Sequence, residues 1–91
     1  MAGVTRTLTI VNEKGLHARA SAKFVETVEA HDARARVTRD GQTVSGDSIM
    51  GLLMLAAARG ATIDVTCTGT DAEALMQSLE TLVASGFGEG A

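Results

Sequence analysis

Ala33-Arg34-Ala35-Arg36-Val37-Thr38-Arg39-Asp40-Gly41-Gln42-Thr43-Val44-Ser45 is the stretch on which the fold turns. Ala33, Ala35 and Val37 share one face and Arg34, Arg36 and Thr38 the other, the period of a strand buried on one side. Asp40-Gly41 is a two-residue turn suited to positive φ, so the chain doubles back near Gln42 to Ser45 as the second strand of a hairpin.

Val4 to Val11 alternates as well, with Val4, Leu8 and Ile10 opposite Thr5, Thr7 and Thr9, which predicts a first strand. Asn12 to Gly15 is a polar turn, and from Ala18 onward Ala18, Ala22, Val25 and Val28, joined by Phe24, recur at helical spacing until about Ala30. Beyond the hairpin, Asp47 or Ser48 is placed to cap a short helix from Ile49 to Arg59 that Gly60 stops. Ala61 to Thr68 reads as a fourth strand, with Ile63, Val65 and Cys67 inward. Thr70 and Glu73 are spaced as a capping box for a last helix striped by Leu75, Leu79 and Leu82, ended by Gly86 and followed by a frayed tail after Phe87. The order is βαββαβα. Threonine-rich outer faces with helices between the strands imply an α+β open-faced sandwich: a four-stranded antiparallel sheet covered on one face by three helices. Ferredoxin-like domains share that pattern, so function must be argued from the site.

At 91 residues and 45% hydrophobic content, the chain fits one domain, 1–91, with one core. So small a chain favours a surface site serving a large partner over an enclosed pocket. Cys67 is the only cysteine and has no internal partner, which favours a reduced, cytoplasmic setting. The apolar run from Ile49 to Ala58 is broken by Gly51 and far short of the ~20 residues of a membrane helix, and no secretion signal is visible. The expectation is a cytoplasmic protein with no membrane partner.

The net charge of -3 conceals an asymmetry: residues 1 to 45 carry seven Lys or Arg against five Asp or Glu, and residues 46 to 91 carry one against six. A basic first half suits a small anionic group. With no Trp or Tyr and two Phe, the chain lacks the stacking aromatics and basic surface of an RNA binder, and no nucleic-acid partner is expected. His17, His31 and Cys67 do not have the spacing of a zinc site, no phosphate loop is present, and neither metal nor cofactor is expected. His31 follows the first helix among polar residues, which places it in solvent. A hydrolase built on His17 lacks a serine or cysteine nucleophile with an orienting acid.

Gly15-Leu16-His17-Ala18-Arg19 carries the chemistry. The boundary between turn and helix sets an imidazole beside the backbone N–H groups of Ala18, Arg19 and Ala20, which lack intrahelical partners. That is an anion site, and the positive end of the helix dipole there opposes protonation of His17 while favouring a negative group attached to it. Charge-assisted hydrogen bonds from Arg19 are worth ~1.5 to 3 kcal/mol, against ~0.3 to 1 kcal/mol for an exposed helix terminus. Arg19 should therefore outweigh the dipole, and the solvated Lys14 and Lys23 could only add field. By residue type alone, a histidine at a helix start is most often a cap or a surface residue, and the plain reading prevails.

What singles out His17 is that Gly15-Leu16-His17-Ala18-Arg19-Ala20-Ser21-Ala22 resembles the active-site signature of the HPr family of the bacterial phosphotransferase system. It is followed in order by a second HPr-like motif, Ser45-Gly46-Asp47-Ser48-Ile49-Met50-Gly51-Leu52-Leu53. The resemblance runs from about Val4 to Phe87 and implies an HPr-like fold and a phosphocarrier, a covalent intermediate rather than an independent enzyme. It implies that Enzyme I transfers phosphate from phosphoenolpyruvate to Nδ1 of His17, that Arg19 stabilises it, and that an EIIA-type protein receives it. Leu52-Leu53-Met54-Leu55 and Ser85-Gly86-Phe87 are more similar to the nitrogen-related, regulatory branch. Ala20 stands where many HPr proteins have proline, and as a good helix former it should preserve the helix start. Ser48 matches the serine phosphorylated by HPr kinase in some members, its plain alternative being an N-cap. The short helix from Ile49 is apolar on nearly every side, so some of its side chains should be exposed; the resemblance implies that Ile49 and Met50, with Leu52, dock partners, which adaptable methionine suits, with burial in the core as the alternative. A monomer is the default for a carrier whose partners share one site.

Overall fold

The computed structural model describes residues 3–89. The elements are β1 (Val4–Thr9), α1 (Ala18–Glu29), β2 (Arg34–Arg39), β3 (Gln42–Ser45), α2 (Ile49–Met54), β4 (Thr62–Thr68) and α3 (Ala72–Ala84), closed by a 3-10 turn over Gly86–Gly88. The strands form one antiparallel sheet in the order β1-β4-β2-β3. The predicted α+β sandwich is thus present, with the last strand inserted beside the first.

Register follows from burial on one face. Val37 lies opposite both Val65 and Val44, Ala35 opposite Cys67, and Leu8 opposite Ile63, so the apolar positions meet across the strands beneath the helices. A one-residue slip would turn every one of them to solvent. The outer face is closed by its own polar groups: Thr5 and Thr66 share a hydroxyl hydrogen bond of 3.0 Å, Thr7 donates to Asp64 at 2.7 Å, and Thr38 pairs with Thr43 at 2.8 Å. Beneath the helices Phe24, Phe87, Ile10, Leu75, Met76 and Leu79 are fully buried with Cys67, and burial pushes the Cys67 thiol up to about 11. It is a core side chain, as its alternation implied.

Several expectations are corrected. The second helix ends at Met54 instead of Arg59. Ala56 turns to φ 51, and the segment after it bonds to the loop before α1: Leu16 N–H donates to Ala57 O at 2.9 Å, Gly60 N–H to Ile10 O at 2.7 Å, and Ile10 N–H to Ala61 O at 2.9 Å. Those carbonyls and amides are used between segments and are not available for another helical turn. The Thr70–Glu73 capping box does not form. Asp71 is the N-cap of α3, and its carboxylate accepts the backbone N–H of Asp32 at 2.8 Å while its own N–H returns to Asp32 O at 3.0 Å. On α3, Met76 and Val83 are buried with Leu75 and Leu79, while Leu82 is only partly covered. His31 is half-buried instead of solvated and donates from Nδ1 to Thr27 O at 2.8 Å.

Leu52, expected to dock partners, is fully buried; among the described residues the large apolar side chains left exposed are Ile49, Met50 and Met54, with Val11. A six-residue helix lying on a sheet must turn one side inward, and Leu52 is on that side. No helix among the described residues is long and apolar enough to cross a membrane.

Truncation should separate the two sides of α2. Leu52→Ala is expected to lower unfolding free energy by about 2 to 5 kcal/mol, the usual cost of emptying a buried leucine site. Met50→Ala should stay within about 0.5 kcal/mol of the parent, both read from urea denaturation.

Candidate functional site

The site begins with a loop that cannot move far. Asn12 is buried and its amide donates to Gly15 O at 2.8 Å, while Gly15 N–H returns to Asn12 O at 3.1 Å. Gly15 has φ +67, and a Cβ there would sit 2.5 Å from Ala57 O and 2.9 Å from Ala58 Cα. Only glycine fits both the conformation and the gap. Leu16 is then buried in the core, and its neighbour His17 is left at the surface, with 27% of its side chain exposed.

His17 is the N-cap of α1, with φ -80 and ψ -176, but its side chain makes no capping bond. The ring is therefore free for other chemistry. The first amide of the helix to find a partner is Ser21 N–H, on His17 O at 2.8 Å. Among the described residues the N–H groups of Ala18, Arg19 and Ala20 find none, as the opening of a helix requires. Ala20 is fully buried and the helix starts at Ala18, so alanine in place of proline leaves the start intact. Arg19 is exposed and lines one shallow cleft together with Glu13, Lys14, His17, Lys23 and Glu89.

Sequence reasoning misses two residues of this site, Asn12 and Glu89. The tail after Phe87 is not frayed as far as Glu89: its carboxylate accepts from Asn12 Nδ2 at 3.0 Å through one oxygen and contacts His17 Nε2 through the other. Phe87 is fully buried, and Lys23 Nζ donates to its carbonyl at 2.6 Å. Gly86, Phe87 and Gly88 have φ of 66, 57 and 71. Left-handed backbone costs a residue such as phenylalanine roughly 1 to 2 kcal/mol, offset by the ~1.5 to 3 kcal/mol from burying its ring. Hydrogen bonds from His17, first, and from Asn12 hold the Glu89 carboxyl below its ordinary value. An ionised carboxylate only accepts, so the contact requires a proton on Nε2, and Nδ1 has no hydrogen-bond partner among the described residues. Lys23, expected only as a source of field, is in fact a tether of the tail.

Ser48 caps α2, its hydroxyl accepting Gly51 N–H at 3.0 Å. Ile49, 40% exposed, and Met50, 70% exposed, follow it at the surface. Among the described residues no cluster of His, Cys, Asp and Glu is arranged to hold a metal.

Residues 4–85 match the family model described as the PTS HPr component phosphorylation site. The chain belongs to the HPr family. It is 44% identical over 85 residues to the phosphocarrier protein HPr of Neisseria meningitidis serogroup A, covering 93% of this chain and 96% of that one. It is 36% identical over 89 residues to the phosphocarrier protein NPr of Shewanella violacea, covering 98% of each. The HPr crystal structure from Thermoanaerobacter tengcongensis aligns with a TM-score of 0.90 at 35% identity, over 94% of this chain and 97% of the other. HPr proteins are phosphocarriers of the phosphotransferase system, not catalysts in their own right, and so is this chain.

Gly15→Ala is expected to destabilise the protein by about 2 to 4 kcal/mol, from left-handed strain plus overpacking, in thermal or urea unfolding. For Glu89 the sign follows from its lowered carboxyl: the tail's attachment is complete above the ordinary carboxylate range and weakens as pH falls through the lowered value. An NMR titration of the Gly88 and Glu89 amides should show release only in that acid window.

Proposed function

We propose that His17 is the residue that carries the phosphoryl group, and that it does so on Nδ1. The observation that supports this most directly is the occupation of Nε2 by Glu89, which leaves Nδ1 as the ring nitrogen with a free lone pair. Beside the ring, the unpaired N–H groups of Ala18, Arg19 and Ala20 offer donors at the positive end of α1. The Arg19 guanidinium adds a charge-assisted donor on the same cleft.

The chemistry is an exchange of bonds to phosphorus. The Nδ1 lone pair forms the bond to phosphorus as the donor's bond to phosphorus breaks, and the electron pair returns to Nδ1 when the group moves on. Positioning and electrostatics are what the protein supplies. An exposed cleft suits this, because donor and acceptor must each cover the ring in turn.

In this reading Enzyme I is the donor and an EIIA-type protein the acceptor, as the family resemblance implies. Ile49 and Met50, with Met54 in place of Leu52, form the apolar surface beside which they dock; flexible methionines suit a face that must fit several partners. Ser48, at the start of that helix, is the residue on which an HPr kinase would act, and a phosphate there would set negative charge next to the docking surface.

Incubation with phosphoenolpyruvate and active Enzyme I should add one acid-labile phosphate to the wild type and none to His17→Ala, by intact mass. Arg19→Ala should still be labelled, with a slower rate by about tenfold, matching the loss of one charge-assisted hydrogen bond. Labelling of the His17 variant would remove the assignment.

A further inference from the structure

Glu89 reaches His17 only because the chain after α3 is built to bring it there. Phe87 is anchored in the core, Gly86 and Gly88 flank it in left-handed conformations, and Lys23 Nζ holds the Phe87 carbonyl at 2.6 Å. The carboxylate that results is divided between two donors, His17 Nε2 and Asn12 Nδ2. Asn12 in turn fixes Gly15 O at 2.8 Å, so carboxylate and imidazole are tied to one rigid loop. Only 17% of the Glu89 side chain is exposed, which shields the contact from water. A solvated surface ion pair needs none of these supports.

We propose that Glu89 is a positioning residue for phosphoryl transfer at His17: its carboxylate holds the Nε2 proton, so that the neutral ring presents Nδ1, and it balances the charge that the ring acquires with the phosphoryl group. The proposal rests on the reading of His17 as the carrier.

The charge balance gives the carboxylate its work. When Nδ1 of a ring protonated on Nε2 bonds to phosphorus, both nitrogens are substituted and the ring becomes an imidazolium bearing one positive charge. The proton stays on Nε2, facing Glu89. When the phosphoryl group leaves, the N–P electron pair returns to Nδ1 and the ring is neutral again. A fixed carboxylate against Nε2 therefore interacts more strongly with the ring in the reacting and phosphorylated states than in the resting one, which is the condition for accelerating the step. The same division of roles operates where a buried carboxylate orients a catalytic histidine and stabilises the imidazolium that forms. Asn12 then orients the carboxylate, and Lys23 and Phe87 hold the tail that carries it.

The test uses potassium phosphoramidate as phosphoryl donor, so that ring reactivity is read without any protein partner. The N–P bond of phosphoramidate breaks, ammonia leaves, and the phosphoryl group bonds to the imidazole. Wild type, Glu89→Gln, Glu89→Ala and His17→Ala are compared for rate by intact mass and for the nitrogen labelled by 31P NMR. Wild type should be labelled on Nδ1 alone. Glu89→Gln keeps an oxygen acceptor for Nε2–H without the charge, and should keep the Nδ1 product but react about tenfold more slowly, the scale of losing a charged hydrogen bond. Glu89→Ala should be at least as slow and should give a share of phosphate on Nε2, an outcome that a purely structural tail contact would not produce. Wild-type rate together with Nδ1-only labelling in Glu89→Ala would overturn the proposal while leaving the carrier assignment intact. Absence of label on His17 in the wild type would instead remove the carrier assignment itself.

Discussion

The burial of Leu16 one residue before the partly exposed ring of His17 is the constraint on which the rest depends. Leu16 occupies the core and its N–H is held by Ala57 O at 2.9 Å, so the backbone at the head of α1 is fixed from both the side chain and the main chain. The consequence is an imidazole whose base is rigid and whose face is open to a partner. Rigid support for an exposed reactive group is what a carrier requires, because each partner must find the nitrogen in the same place and the group must leave as readily as it arrived. The sheet contributes by distance: with one face closed by threonine hydroxyls and the other filled with apolar side chains, it leaves the helix ends as the surfaces where chemistry can occur.

A second constraint acts at the other end of the chain. Phe87 is buried in an unfavourable backbone region between two glycines, and the effect is to return the chain across the head of α1. Glu89 then closes a circuit from His17 through Asn12 to the loop before the helix. Core packing, loop geometry and ring orientation are thus coupled through one short tail, and a change in any of them would be felt at the imidazole.

Most of the fold is legible in the sequence because strand alternation and the Asp40-Gly41 turn are local signals, and the four strands and three helices lie where those signals put them. The second helix reads too long because Leu55 and the three alanines after it are good helix formers. Nothing local in them shows that Ala57 O is needed by Leu16, so the helix end is set by contacts between segments. For the same reason a capping box gives way to the clasp between Asp71 and Asp32. At the site, His17 and Arg19 are visible through their motif and their place at a helix start. Glu89 is not, since a lone acid in a glycine-rich tail has no periodicity and its meaning comes from a fold that carries it 72 residues back along the chain. Asn12 looks like any turn residue, and its buried amide acquires a role only with its partners in place. Leu52 is misplaced because an all-apolar short helix does not tell which side faces the sheet.

The most direct test is to identify the phosphorylated atom in the wild-type protein after transfer from Enzyme I and phosphoenolpyruvate, by 31P–15N coupling in 15N-labelled material. A single phosphate on Nδ1 of His17 is the result expected of this site. A phosphate on Nε2 of that ring, or on another residue, would contradict it.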